Sequence, residues 1–349
     1  MSHSKNVSRS AVSRRGFLQG AAGAAALGSL PVKSFAGIAD TTDNILHMSA
    51  SRIAKLLRKR KLSALEVVEA YINRQVEIDD RLNAVVMTCY ARAREEAREL
   101  DRCARRGDFA GPLHGVPMTI KDSFDTQGVI STGGTYGRQQ YVPSEDAVAV
   151  QRLRAAGAIL LGKTNTPEFT LGGVGGINTT GNMLHGSTHN PYDLTRTTSG
   201  SSGGAAAIVA AGGSPFDIGT DIGGSLRLPA HMCGVAGLKT TAGRVPRTGH
   251  IVPPGGMLDT WQQIGPIARS VDDLALIAPI ISGPDYFDTA CAPVPWNDAP
   301  VDLSRLRAVY YPHNGYSAVN EETQLAITQA AAWLKDAVAS MAQDAPTAL

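Results

Sequence analysis

Ser199-Gly200-Ser201-Ser202-Gly203-Gly204 and the downstream Gly219-Thr220-Asp221-Ile222-Gly223-Gly224-Ser225-Leu226-Arg227 form the stretch that decides how this chain is read. Each piece sets a serine in a glycine-rich turn, and such turns leave backbone N–H groups free to hold an oxyanion. Upstream, Gly115-Val116-Pro117-Met118-Thr119-Ile120-Lys121-Asp122 ends a short apolar strand on a lysine and an aspartate. One lysine and two serines can form a proton relay that activates a serine without histidine. Taken singly, the pieces have ordinary readings. A Gly/Ser loop is most often a turn, a lysine after a strand is a solvated surface residue, and Lys121-Asp122 is open to a plain salt bridge. Their conjunction points to a serine hydrolase.

Outward from this stretch the pattern is α/β. Short apolar strands are expected at Val116–Ile120, Ala158–Leu161 and Phe216–Gly219, separated by helices at about Asp146–Ala156 and Gly204–Ala211. Ser63-Ala64-Leu65-Glu66 is a capping box, with Leu62 and Val67 as its hydrophobic staple. Leu65, Val68, Ile72 and Val76 follow it at helical spacing, which predicts a helix of about four turns. Leu82–Cys89 reads as a strand and Ala91–Arg106 as a charged surface helix. A last amphipathic helix is expected from Glu321 to Ala339, capped by Asn320 and followed by a polar tail, 343–349.

Two further motifs are weighed and set aside. Gly157-Ala158-Ile159-Leu160-Leu161-Gly162-Lys163-Thr164 matches the nucleotide P-loop letter for letter, but four bulky apolar residues occupy the loop and Pro167 sits where a helix should run. Helix stop followed by core strand is the better reading. Gly200-Ser201-Ser202-Gly203-Gly204 also matches the nucleophile elbow of α/β-hydrolases, with Ser202 as nucleophile. The preceding Leu194-Thr195-Arg196-Thr197-Thr198 is too polar for the strand that elbow requires, and only His231, His250 and His313 follow to complete a triad.

With 349 residues, 43% hydrophobic, 5% aromatic and 37 glycines, the chain reads as one large globular α/β domain. Ser13-Arg14-Arg15-Gly16-Phe17-Leu18 leads into a weakly apolar Ala/Gly run that ends near Ser34-Phe35-Ala36, the pattern of a twin-arginine export signal. Residues 1–36 carry five basic residues and no carboxylate, so their removal takes the formal charge from +2 to −3 and leaves no basic footprint for nucleic acid. The expected order is therefore signal 1–36, linker 37–47, domain 48–342 with its catalytic core at 110–280, then the tail. A periplasmic or secreted location follows, with the export machinery as a partner. Stable membrane insertion is not expected. Cys89, Cys103, Cys233 and Cys291 are widely spaced with no CxxC pair and read as buried thiols; no metal or organic cofactor is implied.

The chain resembles the amidase signature family, which includes fatty acid amide hydrolase, bacterial peptide amidases and the A-type component of tRNA-dependent amidotransferases. The likeness runs from about residue 48 to 280. Beyond the serine and lysine segments it rests on Gly162-Lys163-Thr164-Asn165-Thr166-Pro167-Glu168-Phe169, Asn190-Pro191-Tyr192, Gly234-Val235-Ala236-Gly237-Leu238-Lys239, Gly243-Arg244-Val245 and Gly265-Pro266-Ile267-Ala268-Arg269-Ser270. The resemblance implies a mixed central β-sheet covered by helices on both faces, Ser225 as nucleophile, Ser201 as a bridging serine in a cis peptide, and Lys121 as base. It also implies an oxyanion hole from the N–H groups of Ile222, Gly223, Gly224 and Ser225, and a brace from Asp221 and Arg227. Ser202, Thr220, Thr170 and Gly173 would lie near substrate. Position 199 is Ser where the family usually has Gly, and the chain stops before the family's usual C-terminus, which implies an incomplete C-terminal part of the sheet.

The implied activity is hydrolysis of a small-molecule or peptide amide to carboxylate plus ammonia or amine. The alternatives are a catalytically silent family member and an A-type component of an amidotransferase. For Lys121 to act as base, burial must lower its pKa by about 3 units from an ordinary value of about 10.4.

Overall fold

Six strands, β1 (Val85–Thr88), β2 (Pro117–Lys121), β3 (Ile159–Thr164), β4 (Phe216–Asp221), β5 (Ala236–Gly237) and β6 (Gln263–Ala268), form one sheet in the order β1-β3-β2-β4-β6-β5. The structure is a computed structural model that describes residues 42–172, 179–296, 300–313 and 317–345. The expected export signal lies outside the described residues. β2 runs parallel to both β3 and β4, while β1, β6 and β5 join antiparallel, so the sheet is mixed as expected. Nine helices accompany it among the described residues: α1 (Thr42–His47), α2 (Ala50–Arg58), α3 (Ala64–Leu82), α4 (Tyr90–Arg105), α5 (Val148–Ala155), α6 (Gly203–Ala210), α7 (Arg227–Cys233), α8 (Val271–Ile281) and α9 (Glu321–Leu334).

Period-two alternation in β2 and β4 gives the sheet two unlike faces. Met118, Ile120, Phe216 and Ile218 enter the larger apolar cluster, where α2, α3, α5 and α8 supply Leu56, Val68, Leu153 and Ile277. Burying each such side chain contributes about 1.5–3 kcal/mol. Thr119, Lys121, Asp217 and Gly219 alternate with them, are fully buried or nearly so, and face the other way. α6 covers that second face. Its residues Gly203, Gly204, Ala205, Ala206, Ala207, Ile208 and Val209 are all buried, and two glycines at its start let the helix approach the strand ends. A Cβ on Gly204 would lie 2.5 Å from Asn165 N, and one on Gly203 would lie 2.2 Å from Thr198 Oγ1.

Local signals hold at the N-terminal side. The capping box of α3 is formed, with Ser63 Oγ accepting from Glu66 N–H at 3.1 Å and the Glu66 carboxylate accepting from Ser63 N–H. The buried stripe of α3 runs through Val67, Val68, Tyr71, Ile72, Gln75, Ile78 and Leu82, leaving Val76 exposed. Val76 was expected in the stripe, but its neighbour Gln75 takes the inward position and donates to Gly213 O at 2.8 Å.

The C-terminal region departs further. α9 starts after its Asn320 cap as expected but stops at Leu334. Ser340–Gln343, which follow the expected helix end at Ala339 and run into the expected tail, form a strand (β8) parallel to β7 (Arg307–Tyr310). Parallel strands need a crossover between them, and α9 is that crossover. Helical periodicity could not reveal where this pairing takes over. Cys89, Cys233 and Cys291 are buried, whereas Cys103 on α4 is half-buried; all four thiols are free. Among the described residues no cluster of His, Cys, Asp or Glu could hold a metal ion, and no helix is long and apolar enough to cross a membrane.

Candidate active site

Lys121 is the last residue of β2, and its side chain is wholly buried at the start of α6. Its Nζ lies 2.7 Å from Ser201 Oγ, 3.1 Å from Ser202 Oγ and 2.8 Å from Thr220 Oγ1. All three partners are neutral hydroxyls. Burial pushes Lys121 down to about 7, opposed only in part by the more distant Asp217 and Asp221. The N-terminal end of α6, where Ser202 is the capping residue, adds a positive pole that disfavours the ammonium further. A lysine in this setting is available as a neutral amine at ordinary pH.

The glycine turn before α6 carries both serines to that amine. The Gly200–Ser201 peptide is cis, as the resemblance implies, and Ser199 has φ +60. That left-handed conformation suits the glycine usual at this position better than a serine. Thr180 Oγ1 donates to Ser199 O at 2.9 Å and accepts from Gly203 N–H at 2.9 Å, clamping the turn at both ends. Ser202 is fully buried, and its Oγ donates to Thr220 O at 3.2 Å. Sunk between Lys121 and β4, the Ser202 hydroxyl is taken up by Lys121 Nζ and Thr220 O, which weighs against the nucleophile-elbow reading. The histidines do not rescue it: buried His250, pushed down to about 3 chiefly by burial, bonds Ser123 Oγ at 3.0 Å.

Ser225 lies on the loop between β4 and α7 and is half-buried, with no hydrogen bond to its Oγ among the described residues. Ser202 N–H donates to Ser225 O at 3.1 Å, which docks this loop on the first serine turn. Gly219 makes the docking possible, since a Cβ there would sit 2.6 Å from Ser202 Oγ and 2.9 Å from Leu226 Cδ2.

Asp221 is the brace. Burial works to raise its carboxyl, but Arg227 and the N–H groups of Gly224, Leu226 and Arg227 outweigh it and hold the group well below the usual carboxylate range. Arg227 grips it through Nε at 2.9 Å and Nη2 at 3.0 Å. Lys239 stands 3.2 Å from the same carboxylate and donates to Ile222 O at 2.8 Å. One expectation fails here. Gly224 N–H donates to Asp221 Oδ1 at 2.8 Å and so is not free for an oxyanion. The N–H groups of Ile222, Gly223 and Ser225 have no acceptor among the described residues, and space above Gly223 is open.

The other expected residues divide. Ser202 and Thr220, expected to touch substrate or to support the groups that do, both bond Lys121 Nζ. Thr170 is buried in a tight turn at φ +63, its N–H bonded to Pro167 O, and Gly173 lies outside the described residues. The Lys121-Asp122 salt bridge does not form. Asp122 pairs with Lys163, the lysine of the P-loop look-alike, at 3.4 Å. Lys163 is buried in β3 and also donates to Phe124 O at 2.7 Å and Ser131 Oγ at 2.9 Å, so it cannot meet a phosphate. Sequence reasoning gave no role to Asp217 or Lys239. An aspartate in an otherwise apolar strand was the available signal for the first; nothing marked the second.

The site thus sets a hydroxyl-lined buried lysine beneath two serine-glycine turns at the strand ends of a mixed sheet. The model of the Amidase family matches residues 66–347, and the chain belongs to that family. It is 38% identical over 310 residues to an acylamidase of Rhodococcus erythropolis, covering 88% of this chain and 63% of that protein. It is 42% identical over 254 residues to the A-type component of the glutamyl-tRNA(Gln) amidotransferase of Moorella thermoacetica, covering 73% of this chain and 50% of that protein. Among solved structures it resembles a fatty acid amide hydrolase with a TM-score of 0.80 at 28% identity, over 88% of this chain and 54% of the other. The chain thus spans about half to two thirds of the length of these relatives.

Proposed function

We propose that this protein hydrolyses a carboxylic amide through an acyl-enzyme on Ser225, with Ser201 and Lys121 as its proton relay. The observation that carries the reading is the setting of Lys121, fully buried, touched only by hydroxyls, and 2.7 Å from Ser201 Oγ. Neutral Lys121 takes the Ser201 proton as Ser201 takes that of Ser225, and Ser225 Oγ attacks the carbonyl carbon. The oxyanion is held by the N–H groups of Ile222, Gly223 and Ser225. The relay then returns the proton to the amide nitrogen, which departs as ammonia or an amine, and water releases the carboxylate. Loss of one oxyanion donor typically costs about 100-fold to 1,000-fold in rate.

Export through the twin-arginine route, read from residues 13–36, is part of the proposal and favours small or peptide amides met outside the cytoplasm. The likeness to A-type amidotransferase components supports a second reading, in which the same relay releases ammonia for a partner protein. The test is to treat the purified chain alone with a fluorophosphonate probe, map the labelled residue and assay simple aryl and aliphatic amides. Label on Ser225 with hydrolysis supports the amidase. Label without hydrolysis turns attention to the partner-dependent reading. No label on folded wild-type protein, or unchanged hydrolysis in Ser225→Ala, defeats the mechanism.

A further inference from the structure

We propose that Asp217 is a positioning residue for the base: its carboxylate is the uncommitted counter-charge beneath α6 that sets the pH at which Lys121 gives up its proton. The inference rests on the reading of Lys121 as base. Asp217 on β4 is the register partner of Thr119 on β2, and Lys121 follows two residues on, on the same face. Thr164 Oγ1 donates to Asp217 Oδ2 at 3.0 Å. Thr164 belongs to β3, on the far side of β2, and is the register partner of Lys121. To reach it the carboxyl group must cross over β2, which places it between Thr119 and Lys121.

The other charges nearby are spoken for. Asp221 is gripped by Arg227 and Lys239, and Asp122 is paired with Lys163. His250 is neutral and bonded to Ser123. α6 brings no titratable side chain, β6 brings Gln263, and α3 brings Gln75 and an Asp79 that caps the N–H groups of Ala84 and Val85. Asp217 itself enters no ion pair among the described residues; Thr164 donates to its Oδ2, its Oδ1 has no close partner, and the Thr119 hydroxyl and the Lys121 N–H stand near enough to favour its ionised form. A carboxylate met only by neutral donors beneath an apolar helix interacts with the buried cation of Lys121 across β2 at low dielectric. Burial holds Asp217 up at about 7, so acid and amine titrate in the same range. Where it is ionised, Asp217 thereby keeps Lys121 basic enough to pull a serine proton.

The experiment follows the rate of fluorophosphonate labelling of Ser225 against pH in the full chain, for wild type and Asp217→Asn. Removing the carboxylate destabilises the ammonium, so the acid limb moves to lower pH, by about one unit, the low end for an opposite charge at this range. The plateau falls modestly because a weaker base drives the relay less. A merely structural role would lower the plateau and leave the limb in place, and that result overturns the proposal. Thr164→Val offers a second route should Asp217→Asn fail to fold: without its donor the carboxylate holds less charge, and the limb moves the same way by less. An unmoved limb in both folded variants defeats the inference alone, whereas a wild-type chain that never labels defeats the reading beneath it.

Discussion

Two lysines lie near the ends of neighbouring parallel strands, each without exposed surface, and they have opposite consequences. Lys163 donates to a carbonyl and a hydroxyl and faces the carboxylate of Asp122 at 3.4 Å; burial lowers its pKa, but Asp122 works against that. Lys121, one register step away across β2 and β3, touches three hydroxyls and no carboxylate, and burial takes it to about 7. Burial alone therefore does not make a lysine a base. The two buried lysines differ in what they touch: Lys163 faces a carboxylate, Lys121 only hydroxyls.

The widest gap between the two should appear in reactivity. Lys121→Met is expected to slow Ser225 labelling by about 10³-fold to 10⁴-fold, the upper range for general-base loss, while folded Lys163→Met stays within about tenfold of wild type. Equal losses in the two variants would erase the distinction.

Stability should separate them in opposite directions. Lys163→Met leaves Asp122 buried without its cation and is expected to cost about 3–5 kcal/mol in denaturant unfolding. Lys121→Met removes a group whose folded pKa lies below its unfolded value. The penalty it removes is on the order of 5 kcal/mol, less what the three orphaned hydroxyls lose. The sign follows from proton binding. The unfolded chain holds the lysine proton up to about 10.5 and the folded chain releases it near about 7, so the penalty is greatest below pH 7, fades as pH rises from 7 towards 10.5 and is absent above that. A variant no more stable than wild type at pH 6 would contradict the assigned environment.

The pH profile sharpens the contrast. Labelling and hydrolysis should fall about tenfold per unit below pH 7 as Lys121 becomes charged, and Lys163→Met should keep the same limb. The smallest effect is expected from Thr220→Val, which removes one hydroxyl from Lys121 Nζ and should cost about 0.5–1.5 kcal/mol in stability while leaving a measurable labelling rate. Complete inactivity there would make Thr220 part of the relay.

Much of this was legible from residues alone because it is local. The capping box before α3, the glycine that ends the helix before β3, and the serine-glycine turns are short-range patterns with one favoured conformation each. Boundaries held within a few residues where the hydrophobic period matched the final packing. They slipped where long-range pairing intervened, as at Ser340–Gln343, which joins Arg307–Tyr310. The occupant of Gly224 N–H was likewise hidden, because residue type lets Asp221 serve as brace or as loop cap, and only the fold of the turn chooses the donors it takes.

By itself the sequence determined the α/β scaffold, the family and the three side chains of the candidate relay, since residue type, glycine placement and apolar period are written along the chain. Only the tertiary structure decided that Asp122 belongs to Lys163, that Ser202 and Thr220 hold Lys121, and that Asp217 is buried across β2 from it without an ion-pair partner among the described residues. The physical reason is that proton affinity depends on through-space distance and on the polarity of what lies between. Residues scattered from position 119 to 250 set both around Lys121, and they come together only when the sheet forms.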